Sequence, residues 1–162
     1  MTRDVSGKKD LPNRNREFRQ ITTFSIGKNT YGIDVMRVQE VTNSLPMTEV
    51  PIAPRYVRGL INLRGQIATA IGLHELFELK GEPNAGSQMT VICKVDGALL
   101  SLLVDNIGDV IEVDEQNYEP VPETIHGRVR AFMGGVYKTK ESILTIIDLD
   151  KLSDELNESV GA

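Results

Sequence analysis

"GLINLRGQIATAIGL", residues 59–73, carries two β-favouring aliphatic runs separated by one fixed charge beside a glycine. "GLINL" and "QIATAIGL" read as strands joined by a tight turn at Arg64–Gly65, with Leu60, Ile61, Leu63 and Ile67 expected in a core. The second run has an echo near the end of the chain. In "ILTIIDL", Ile143, Thr145, Ile147 and Leu149 match Ile67, Thr69, Ile71 and Leu73 at all four positions. A second echo precedes each of these runs. Val35, Val38 and Val41 of "VMRVQEV" correspond to Val104, Ile107 and Val110 of "VDNIGDV", and Glu40 corresponds to Asp109. Two matches in the same order imply a duplicated β unit of roughly 60 to 70 residues.

The rest of the chain fits that duplication. "ITTFSIGKNTYGIDV" holds two β-rich runs around the turn-forming "GKNT", and "MTVICKV", "DG", "ALLSLLV" is the corresponding hairpin of the second unit. The three-residue spacing of Val35, Val38 and Val41 predicts one helical turn before the chain extends again. Pro46, Pro51 and Pro54 mark a surface connection rather than a central strand. "HELFELKGEPNAGSQ" predicts a short helix stopping at Gly81, followed by a loop. A last helix begins after Asp148 or Asp150 as cap, with Leu149, Leu152 and Leu156 along its apolar edge. The expected fold class is all-β: two barrel-like units, about residues 20–80 and 88–150, plus the C-terminal helix to about 158. Residues 1–19 are polar and read as a flexible tail, whose Lys8, Lys9, Arg14, Arg16 and Arg19 are offset by Asp4, Asp10 and Glu17. Small closed barrels fill their interior with side chains, so function is expected outside them or between them.

Bulk numbers narrow the function classes. The chain has 162 residues, 40% apolar and 25% charged, with net charge −5. That balance disfavours a duplex nucleic acid, whose affinity rests on Lys and Arg neutralising phosphates. The only cysteine, Cys93, lies in a β-rich run and is expected to be a buried, inert thiol, compatible with a reducing compartment. The N-terminal stretch lacks the apolar core of about 7 to 15 residues of a secretory signal. No run reaches the roughly 18 apolar residues of a membrane span.

Catalytic signals are sparse. His74 and His126 lie far apart with no Cys or second His at ligand spacing, so no metal or cofactor is expected. Asp34 and Asp105 occupy related points of the two units. A carboxylate pair serves acid–base chemistry in principle, but each is better read as accepting backbone hydrogen bonds in the turn that follows it. Arg55, Tyr56, Arg58 and Arg64 form the best basic cluster with an aromatic, which keeps open a small β-barrel that binds single-stranded nucleic acid. The third class is a protein-binding module. "VMRVQEV" has more aliphatics than a surface turn needs; Val35 and Val41 suit core packing equally well, and Val38 is undecided. For Arg64, a solvated turn charge and a partner-binding guanidinium are equally compatible with the residues.

"FSIGKNTYGIDVMRVQEV", "YVRGLINLRGQIATAIGL", "LLSLLVDNIGDVIEV" and "ILTIIDLDKL", taken together and in this order, resemble the CheW family of chemotaxis coupling proteins from about Phe24 to Leu152. The resemblance implies two SH3-like five-stranded β-barrels around a shared core and a cytoplasmic adaptor without catalytic activity. It implies as partners the regulatory domain of a CheA-type histidine kinase and the cytoplasmic tips of chemoreceptors, with no nucleic acid, no membrane insertion and weak self-association through barrel edges. Arg64 matches the family's characteristic arginine. The same resemblance implies that Val35, Val38 and Glu40 fall in the receptor-facing groove, that Asn62 and Gly65 shape the Arg64 turn, that Gly59 permits close backbone approach, and that Ile107 lines the same groove from the second unit. The sequence departs from the family pattern at Gly72, where an acid is common, and at His74, where an arginine is common. Those departures suit either the main adaptor or a paralogue serving a non-flagellar pathway.

Overall fold

The "DG" pair at Asp96–Gly97 makes a tight hairpin because both residues take left-handed φ, 51° and 83°, which matches the twist of the flanking strands. It joins β6 (Met89–Val95) to β7 (Ala98–Val104). The corresponding hairpin, β1 (Phe18–Ile26) and β2 (Asn29–Asp34), turns at Gly27–Lys28. The structure, a computed structural model, describes residues 16–81 and 88–161. Its remaining strands are β3 (Val38–Asn43), β4 (Val57–Leu63), β5 (Gln66–Gly72), β8 (Asn106–Asp114), β9 (Tyr118–Glu119), β10 (Met133–Lys138) and β11 (Ile143–Ile147). One helical turn, α1 (Leu73–Leu76), follows β5, and α2 (Leu149–Gly161) follows β11.

The strands form two sheets, ordered β8-β1-β2-β11-β10-β9 and β3-β6-β7-β5-β4. The duplication is visible in this order. In each sheet the second strand of a hairpin pairs in parallel with the last strand of the other unit, β2 with β11 and β7 with β5. The sheets, however, cut across the boundary expected near residues 80–88. The first hairpin, β1–β2, lies with β8–β11, and the second, β6–β7, lies with β3–β5. The two echoed segments are the exchange points. After β2 the 3₁₀ turn Val35–Arg37 carries the chain into β3 of the other sheet, and after β7 Asp105 carries it into β8.

Burial follows position in the sheet. Every residue of the central strand β7 after Ala98 is buried, whereas β3, at an edge, alternates. A shared core joins the sheets. Phe24, Ile26, Tyr31 and Ile33 meet Ile71, Val91, Leu100 and Leu102, and Leu149, Leu152 and Leu156 of α2 close it. Smaller clusters fill each sheet's concave side: Ile61, Leu63, Ile92, Leu99 and Leu103 in one, Ile21, Val113, Tyr137 and Leu144 in the other. Each such aliphatic contributes about 1.5–3 kcal/mol by leaving water. Asp148 caps α2, accepting from the backbone N–H groups of Asp150 (2.9 Å) and Lys151 (3.2 Å).

Three local expectations need correction. The helix expected to run to Gly81 ends at Leu76, and Glu78 then takes a left-handed φ of 53°, which no helix continues through. Leu60 and Ile67 are 36% and 60% exposed, because they alternate with the buried Ile61 and Ala68 on the opposite face. Order also reaches back past the expected tail boundary at 19. Phe18 starts β1, Arg16 pairs with Asp114, and Arg19 lies 3.3 Å from Glu115 and 3.6 Å from Asp34. Lys8, Lys9 and Arg14 lie outside the described residues.

Cys93 is fully buried in β6, and burial pushes its thiol up to about 12, with Arg37 pulling weakly the other way. The thiolate is therefore scarce at neutral pH. A thiol reagent is expected to leave the folded protein unlabelled for hours and to label it at once in denaturant. Rapid labelling of the native protein would mean that β6 opens locally.

Candidate functional site

Arg64 and Gly65 are the two central residues of the β4–β5 turn, with φ of 51° and 89°. Both lie in the left-handed region that a two-residue hairpin loop demands. Asn62 stabilises the loop, its Oδ1 accepting from the Gly65 N–H at 2.9 Å. The guanidinium thus stands on a rigid tip, 67% exposed, and donates to the carboxylate of Glu40. That hydrogen bond, and the Glu40 charge, raise the Arg64 pKa above its ordinary value.

Glu40 comes from β3, the strand at the opposite edge of the same sheet. A bulge between Val38 and Glu40 in the pairing with β6 re-aims the side chains there. Because β3 and β4 are the two sheet edges, the Arg64–Glu40 pair bridges the open seam of a curled sheet. A second link lies along the seam. Thr48 and Leu60 exchange both backbone hydrogen bonds, at 2.9 and 2.8 Å. Gly59 sits beside that link with φ 155°, and a Cβ there would lie 2.7 Å from the Thr48 carbonyl oxygen.

Val38 and Ile107, which occupy equivalent positions in the repeat, both pack half-buried against the shared core. Val35 is half-buried in the exchange turn, and Val41 is 39% exposed. The structure therefore brings Arg64, Glu40, Asn62 and Gly65 to one tip and Gly59 to the seam, while Val38 and Ile107 lie at the margin of the core. Sequence reading missed a larger apolar surface. Leu60, Ile67 and Ile52 line a concavity of about 950 Å³ beside α2, and Ile52 is fully exposed with a left-handed φ of 57°, strained for a β-branched residue. The signal available was the alternation within "LINL", which puts Leu60 opposite Ile61.

The other candidates do not converge. Asp34 Oδ1 accepts from Met36 N–H in its own turn, at 2.9 Å. Asp105 differs from expectation: Oδ2 accepts from Gly27 N–H of the first hairpin, at 2.7 Å. Both carboxylates are tied to backbone. Among the described residues no three His, Cys, Asp or Glu side chains are placed to hold a metal ion. In the basic cluster Tyr56 is buried and offers no stacking face, Arg58 pairs with Glu75 at 2.9 Å, and Arg64 is engaged by Glu40. Gly72 has a physical account. A Cβ there would lie 2.2 Å from Glu75 Oε1. The missing side chain lets Glu75, only 12% exposed, lie over residue 72 and neutralise Arg58.

A family model described as a CheW-like domain matches residues 20–157. A curated chemotaxis protein CheW of Treponema pallidum is 34% identical over 144 residues, covering 85% of this chain and 84% of the relative. The CheW of Rhizobium meliloti is 27% identical, covering 83% and 86%. The crystal structure of the scaffolding protein TtCheW from Thermoanaerobacter tengcongensis superposes with a TM-score of 0.76 at 31% identity, over 82% of this chain and 90% of that one.

Proposed function

This chain belongs to the CheW-like domain family, and from that premise we propose that it is a non-catalytic chemotaxis adaptor coupling chemoreceptors to a CheA-type histidine kinase. The match across residues 20–157 carries the reading, and the geometry supports it. The Arg64 tip offers a forked cation suited to carboxylate or carbonyl groups, and the half-buried aliphatics at the margin of the core offer apolar surface that a receptor helix can cover. In this reading Arg64 and Glu40 make the polar contact. Val35, Val38 and Ile107 supply apolar surface, while Asn62, Gly65 and Gly59 hold the tip and seam in shape.

The adaptor works in the cytoplasm, where receptor tips and kinase meet, and among the described residues no helix is long and apolar enough to cross a membrane. The outer edge of β8 offers unpaired backbone for weak self-association. The test is reconstitution. The full chain, mixed with a CheA-type kinase and a receptor cytoplasmic fragment, should co-sediment with both and raise kinase activity in the presence of receptor. A folded chain that binds neither component would reject the proposal.

A further inference from the structure

Thr90 and Ser101 stand on the adjacent inner strands β6 and β7 of the five-stranded sheet, and both are fully buried. Among the described residues, Thr90 Oγ1 and Ser101 Oγ are the two buried side-chain polar atoms with no hydrogen-bond partner. A hydroxyl buried without a partner is costly, and native folds seldom keep one unless water or an ion completes it. Here the two share one place. Thr90 is opposite Leu103, and Ser101 is opposite Ile92. Ile92 and Leu103 belong to the cluster on the concave side of this sheet, so both hydroxyls face into it.

The pairing makes Thr90 and Ser101 diagonal neighbours on that face. Such neighbours stand about 7 Å apart at Cβ. That is beyond a direct bond between two short hydroxyls, and within the span of two hydrogen bonds of about 2.8 Å each through one intervening atom. The surroundings favour a neutral occupant. Ile61, Leu63, Ile92, Leu99 and Leu103 are apolar, and Glu40, which shares this face on β3, is engaged by Arg64. Two neutral hydroxyls in that setting cannot balance an ion. Ala70 is paired with Ser101 across β5–β7, and with Ala68 it supplies the short side chains of the lining. Thr42, half-buried on the edge strand β3, is directly opposite Thr90 and carries the row of hydroxyls out to the sheet edge.

We propose that the barrel formed by this sheet holds one buried water molecule that bridges Thr90 Oγ1 and Ser101 Oγ. A water accepts from one hydroxyl and donates to the other, which satisfies both at once. The site lies in the barrel that carries the Arg64 tip, but it does not rest on the coupling role.

The test compares melting temperatures of the full chain carrying Thr90→Val, Ser101→Ala or both. With a shared water, each single change strands the other hydroxyl and should lower the melting temperature by about 3–6 °C. The double variant leaves no hydroxyl to satisfy and should melt above both single variants. Two hydroxyls that are merely buried and unpaired predict the reverse. Each single change would then raise the melting temperature, and the double variant would add the two gains. That result would overturn the proposal, as would losses that simply add. A high-resolution crystal structure of the parent chain gives a second readout that does not depend on variants folding. Density for a water within hydrogen-bonding distance of both oxygens is expected. Hydroxyls that instead donate to strand carbonyls, with no water between them, would sink the idea.

Discussion

Arg64→Asn should leave the melting temperature within about 3 °C of the parent while weakening receptor-dependent kinase coupling roughly thirtyfold. The two effects separate because Arg64 plays two roles. Its backbone sits at φ 51°, in a region that asparagine occupies more readily than arginine, so the turn itself gains from the change. Its side chain is largely exposed, and the ion pair with Glu40 spans a seam already held by the Thr48–Leu60 hydrogen bonds. Exposed pairs of this kind add little to stability. A partner that buries the guanidinium, by contrast, loses a forked donor at the centre of its contact. Glu40→Gln should weaken coupling less, since it removes the charge that holds Arg64 in place but not Arg64 itself. Thermal melting and a reconstituted kinase assay decide the matter. A melting temperature that collapses with coupling intact would make Arg64 a purely structural residue.

Gly59→Ala should do the opposite, lowering stability by about 2–3 kcal/mol and the melting temperature by about 5–10 °C. Gly59 is buried, and its φ of 155° is strained for any residue with a side chain. The added Cβ would meet the Thr48 carbonyl oxygen at 2.7 Å and the Met47 Cβ at 3.1 Å. Both belong to the segment that closes the sheet seam. Relieving the clash means moving Thr48 away and stretching the two backbone hydrogen bonds to Leu60. The Arg64–Glu40 pair bridges the same seam, so coupling should fall as well, but should recover on cooling well below the new melting point. That temperature dependence separates it from Arg64→Asn, whose coupling defect persists at low temperature. A Gly59→Ala protein that melts with the parent would show that the seam is soft and that the close approach of Gly59 to Thr48 is incidental.

Local geometry was readable before any coordinates because it depends on neighbours in the chain. Asp96–Gly97 and Arg64–Gly65 specify tight turns through the backbone freedom that such loops require. Asp148 caps the final helix, and Leu149, Leu152 and Leu156 fall on its buried face, as the spacing predicts. The matched pairs Val35/Val104 and Ile67/Ile143 reveal the duplication, since equal units need equal patterns.

Tertiary structure alone decided which hairpin joins which sheet. β1–β2 and β6–β7 are both antiparallel hairpins closed by two-residue turns, so either satisfies a strand edge locally; the exchange is set by how Phe24, Tyr31 and Leu102 fill one common core. The outward face of Leu60 and Ile67 was hidden for the same reason, because a period of two says that one side is covered and not which side. The meeting of Arg64 with Glu40 joins residues 24 apart in the chain. Sequence fixes the short-range preferences of this protein, but charges attract or gather only where the packed core has already placed them.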